Sequence, residues 1–187
     1  MARIPYLEQS DIAPQDRDVL VRPFHLWQAL ANAPAASRQF QAMVNYIWND
    51  CGLERRHVEL AILQIGYLTR TEYEWVHHIR LSLQHGVESR DILAIGDETA
   101  GRATHLAEAD RLILRAARET VQQRAVSDAT FTALRAHFDH NKLTNLVLTM
   151  AFYNGVAILL QSLQIAVEDG HRHVLQQYPF ASVQDAS

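Results

Sequence analysis

The chain has 187 residues, 48% of them hydrophobic, and a formal charge of −4 from 21 acids and 17 bases. That length suits one domain with its own core, and the scattered bases form no electropositive stripe, which argues against nucleic acid as a partner. A single cysteine, Cys51, excludes an intrachain disulfide and a thiolate metal cage.

Residues 1–23 carry Pro5, Pro14 and Pro23 and read as an extended N-terminal arm rather than one helix. They lack the basic start and unbroken apolar run of a secretory signal, so the simplest expectation is a cytoplasmic protein. Residues 24–187 read as a single all-α domain, because helical spacing recurs throughout and no alternating strand pattern appears. The first helix is expected over about 23–32, stopping before Pro34. A second covers 36–49, where Phe40, Met43, Val44 and Ile47 recur at helical spacing. A third covers 54–69, and a fourth runs from about 71 to Gly86, a glycine suited to a left-handed helix end. A short helix over 89–95 follows.

After the polar turn DETAGRAT, an amphipathic helix is expected over 107–123, carrying Leu112, Ile113 and Ala116. Ser127 or Asp128 can cap the next helix. The stretch LTNLVLTMAFYNGVAILLQSLQIAV, 143–167, is apolar enough to suggest a membrane span, but Asn145, Asn154, Gly155, Gln161 and Gln164 interrupt it. It is expected to be a helix buried nearly all round, in a core or a subunit interface, with no membrane involved.

The densest chemistry lies in TEYEWVHHIRL, residues 71–81. On a helix Glu74, His77, His78 and Leu81 share one side, flanked by Tyr73 and Trp75. A carboxylate one turn before an imidazole raises its basicity and fixes its tautomer, as general acid–base catalysis requires. The plain alternative is an i,i+4 surface pair of Glu74 with His78, His77 packing in a core or interface. Glu59, in the apolar run HVELAILQIGYL, is costly to bury without a partner. His78 and Arg80 of the next helix are the candidates, and a rim position facing solvent is the alternative.

Glu74 with His77 also makes Glu-x-x-His, a ligand pair of di-iron bundles, and Glu54 with His57 and Glu168 with His171 repeat the spacing. Glu54 and Glu168 fall near predicted helix ends, which disfavours that site, and no HExxH zinc motif occurs. No GxSxG elbow and no glycine-rich phosphate loop occurs either. Cys51 reads as a small residue at a helix end.

The run from Glu59 through Gly86, with Glu74, His78, Arg80 and then His85-Gly86-Val87, resembles the carboxymuconolactone decarboxylase family, and LTMAFYNGVAILLQSL resembles the apolar helix that follows in that superfamily. The alkylhydroperoxidase D-like members carry two redox cysteines where Thr71 and Glu74 stand, so their thiol mechanism does not transfer. The resemblance implies an all-α homo-oligomer, trimeric or hexameric, with sites near subunit contacts and no metal or organic cofactor. It further implies a lyase of aromatic-compound catabolism acting on a small carboxylated lactone or related ring acid. His78, Glu74 and Glu59 are then the catalytic candidates, and Arg80, Tyr73, Trp75 and His77 the substrate-binding ones. The competing expectations are a peroxide- or radical-stress protein using Cys51 alone or a partner thiol, and a non-catalytic oligomeric ligand-binding protein.

Overall fold

The structure, a computed structural model, describes residues 2–180, and all the regular structure among them is helical. The last seven residues of the expected domain lie outside the described residues. In chain order the helices are α1 (His25–Leu30), α2 (Pro34–Asn45), α3 (Arg55–Thr69), α4 (Glu72–Ser82), α5 (Ser89–Thr99), α6 (Glu108–Gln122), α7 (Asp128–Leu134), α8 (His140–Leu163) and α9 (His173–Gln177). A wide, π-type turn over Tyr46–Asp50 extends α2.

The middle of the molecule is α3, packed against α4, α6 and α8. Its residues from Val58 to Gly66 are all buried, as its mostly apolar sequence demands. Arg70, in the left-handed conformation at φ 50°, ends α3 and turns the chain back as α4. The two helices approach closely because residue 66 is glycine: a Cβ there would stand 3.3 Å from the backbone nitrogen of Trp75. Glu72 and Glu74 lie in the first turn of α4, where the helix dipole favours negative charge.

The fourth helix ends at Ser82, earlier than its sequence suggests. The turn beyond it closes through Val87 N–H to Ser82 C=O, with Gly86 at φ 81° supplying the left-handed residue. Ser127, not Asp128, caps α7, accepting from Thr130 N–H. The fifth helix runs through Thr99 and takes in the start of the stretch expected to be a polar turn.

Two expectations need correction. Residues 2–23 are not an extended arm alone: Pro14–Val19 form a 3-10 turn, and Ile12 and Val19 bury against Ala31. Arg3 N–H donates to Leu163 C=O, and the Tyr6 hydroxyl accepts from Ala166 N–H, so the segment wraps the body. The second correction concerns α8, which has the length and apolarity to cross a membrane. Only half of its most apolar stretch is buried within the chain. One face packs on α3 and α6, while Ala151, Gly155 and Ile158 point outward.

Candidate active site

The α3–α4 hairpin brings Glu59, Glu74 and His78 together. Glu59 is 0% exposed, and its Oε2 accepts a 2.7 Å hydrogen bond from His78 Nδ1. On the other side of the ring, His78 Nε2 stands 3.2 Å from Glu74 Oε1. Burial disfavours a charged imidazole, but the Glu59 and Glu74 carboxylates outweigh it and lift the His78 pKa to about 9. Burial likewise disfavours the Glu59 carboxylate, while His78 and Arg55 hold its pKa below the ordinary range. At neutral pH the site therefore holds an imidazolium between two carboxylates.

Three residues that sequence reasoning passed over complete this arrangement. Arg55, one turn before Glu59, donates from Nε to Glu59 Oε1 at 2.8 Å and lies 4.2 Å over the Trp48 ring. The i,i+4 spacing of Arg55 and Glu59 was visible in the sequence. Trp48 donates from its indole nitrogen to the Tyr153 hydroxyl at 2.9 Å, and the Tyr153 ring sits edge-on to His78. These two come from the α2 turn and α8, far apart in the chain.

A cavity of about 330 Å³ opens beside His78. Its lining is largely apolar and aromatic, including Phe24, Trp27, Phe40, Trp48 and Tyr153, with Glu74 and His78 exposed to it. Arg22 and Arg80 also line it, and neither forms an ion pair with an acidic residue among the described residues. Glu74 Oε1 is buried and makes no directed hydrogen bond despite its proximity to His78.

The remaining predicted residues divide. Arg80 reaches the cavity and does not pair with Glu59. Tyr73 and His77 line the cavity, their rings 4.3 Å apart, and the Tyr73 hydroxyl accepts from Leu26 N–H. Trp75 does not line it. The expectation that Trp75 walls a substrate is corrected, because it is rotated about 100° from Glu74 around α4 and is directed away from the cavity. There its indole donates to Tyr178 C=O and its ring packs on Tyr67 and Phe180.

Cys51 is 3% exposed, donates its thiol to Ile47 C=O and is not among the cavity-lining residues. A peroxide mechanism that uses this thiol at the cavity therefore lacks its nucleophile there. Two of the three Glu-x-x-His pairs come apart, since Glu74 faces His78 and His57 lies 3.7 Å from Asp110, while Glu168 and His171 stay 3.5 Å apart. His77 instead donates to Glu168 Oε2 at 2.7 Å. Burial opposes the Glu168 carboxylate, yet His77 and the N–H of His25 hold its pKa down at about 2.

Solved structures share this fold. A peroxidase-related protein from Ralstonia eutropha JMP134 with an alkylhydroperoxidase AhpD core superposes at a TM-score of 0.74 over 91% of this chain and 94% of its own, at 19% identity. A protein of unknown function from Agrobacterium tumefaciens gives a TM-score of 0.68 over 74% of this chain and 94% of its own, at 18% identity. A peroxidase-related protein from Silicibacter sp. TM1040 gives 0.69 over 79% and 78%, at 16% identity. No curated protein matches the chain. The class is thus the AhpD-like helical fold. Residues 34–119, which include the α3–α4 hairpin, match the model of the carboxymuconolactone decarboxylase family.

Proposed function

We propose that the protein is a carboxymuconolactone decarboxylase-like enzyme acting by acid–base chemistry on a small carboxylated lactone or related ring acid. The observation that carries this reading is His78, held between Glu59 and Glu74 in the wall of an apolar cavity that also presents Arg22 and Arg80. A guanidinium without an acidic partner suits a substrate carboxylate, and the aromatic walls suit a planar ring.

In such a reaction the bond between the ring carbon and the carboxylate breaks and carbon dioxide leaves. The electron pair passes into the conjugated carbonyl as a dienolate. The His78 imidazolium gives a proton to carbon and recovers one from solvent. Glu59 and Glu74 keep the imidazole charged between turnovers.

The test is turnover of carboxylated muconolactones, followed by carbon dioxide release. His78→Ala and Glu74→Gln are expected to lower kcat by about 10²–10⁴-fold, the usual contribution of a positioned acid or base, with helix content unchanged by circular dichroism. Full activity in both variants would exclude this role for the pair.

A further inference from the structure

Outside the Glu59–His78–Glu74 triad, the structure gathers a second constellation that the acid–base reading leaves unused. Glu168 and His171, one helical turn apart just after α8, meet His77 from α4. His77 Nε2 lies 2.7 Å and His171 Nδ1 3.5 Å from the same oxygen, Glu168 Oε2. All three ligand-type atoms lie within 4.8 Å of one another. We propose that His77, Glu168 and His171 form a binding site for one divalent transition-metal ion of the zinc or cobalt type.

Three observations support it. Two imidazoles and one carboxylate are a donor set that borderline divalent ions prefer, with room for water or a small ligand at the remaining positions. The spacing is also right: ligands about 2.1 Å from a tetrahedral ion stand about 3.4 Å apart, which the Glu168–His171 separation meets. The closer His77–Glu168 contact is a hydrogen bond whose proton the ion would displace.

The third observation is an unmet need. His171 Nδ1 is buried and has no hydrogen-bond partner, an unfavourable state that a metal bond would relieve. The carboxylate is meanwhile held in place from behind, because Glu168 Oε1 accepts a 2.7 Å hydrogen bond from His25 N–H. Phe24 places its ring edge against both histidines, 4.9 Å from His77 and 5.9 Å from His171. An ion here would fasten the segment after α8 to α4, beside the cavity that His77 lines.

The site is independent of the role assigned to His78, and its test does not use turnover. Chelator-stripped protein is titrated with Co²⁺, following its visible ligand-field absorption, and Zn²⁺ is then added as competitor. The expected result is one Co²⁺ per chain, displaced by Zn²⁺. Affinity should fall about 100-fold or more in His171→Ala and Glu168→Gln and hold in the control His173→Ala, whose side chain is exposed. His171→Ala removes a partly exposed side chain from a short turn, so its helix content should match the parent. Absence of one-to-one binding in the parent protein, or binding that survives both substitutions, would overturn the proposal.

Discussion

Glu59 is the residue on which the site depends. Its two oxygens serve separate cations, Oε2 taking His78 and Oε1 taking Arg55, and no water is needed to complete them. A carboxylate left alone at that depth would be strongly unfavourable, so removing either side of the pair is costly. Linkage gives the sign of the pH dependence. The folded pKa of His78, about 9, lies above its ordinary value of 6.5. The stabilisation is complete below about 6.5 and is lost as pH rises through about 9. Glu59→Gln removes one of the two charges that hold the proton. It should lower unfolding free energy at neutral pH by about 3–5 kcal/mol, as breaking a buried pair does. It should also move the alkaline limb of the stability profile to lower pH, as urea denaturation across pH 6–10 would record; an unmoved limb would show that Glu59 does not set the His78 charge.

At the scale of elements, the α3–α4 hairpin sets the distance between Glu59 and His78, and Gly66 sets the distance between the helices. A Cβ at residue 66 would already press on the Trp75 backbone nitrogen at 3.3 Å and would touch the Glu74 Cβ at 3.5 Å. Larger branched side chains cannot be absorbed there by rotamer changes, because the obstacle is main chain. Gly66→Val is expected to cost about 1–3 kcal/mol of stability through overpacking. Because Glu74 adjoins the clash, turnover should fall by more than the lost stability explains. Measuring activity well below the transition temperature separates the two effects, and an undiminished rate constant would show that the hairpin tolerates the displacement. The neighbouring network of Arg56 with Asp91 and Asp110 ties α3 to α5 and α6 and so keeps the hairpin's other side fixed.

For the whole molecule, the outward face of α8 poses the main question. Ala151, Gly155 and Ile158 lie along one line of the helix, and Ile158 is 66% exposed. Small residues beside a large apolar one allow close helix approach, so this face is proposed as a contact between copies of the chain, in keeping with the expected homo-oligomer. Light scattering after size exclusion should give a mass of several chains for the parent protein. Ile158→Glu should shift the population toward monomer with little change in helix content, because the side chain supports no internal packing. A monomeric parent would remove this assignment.

Much of the fold was legible in the sequence because it rests on local rules. Helical spacing located nearly every element, Gly86 marked a left-handed turn, and the family resemblance, rather than the i,i+4 spacing alone, singled out Glu74 and His78, which line the cavity. The apolar surroundings of Glu59 announced a buried acid in need of a partner. What only the tertiary structure decided depends on which helix faces which. The apolar pattern of α8 could not reveal that one side stays open, because composition does not distinguish a core from an interface. His77 differs from His78 by about 100° around the helix axis. That rotation sends one histidine to Glu59 and the other to Glu168, a residue 91 positions away in the chain. Trp48, Tyr153 and Arg22 join the cavity from equally distant segments, and such meetings are fixed by packing rather than by any spacing that a linear sequence displays.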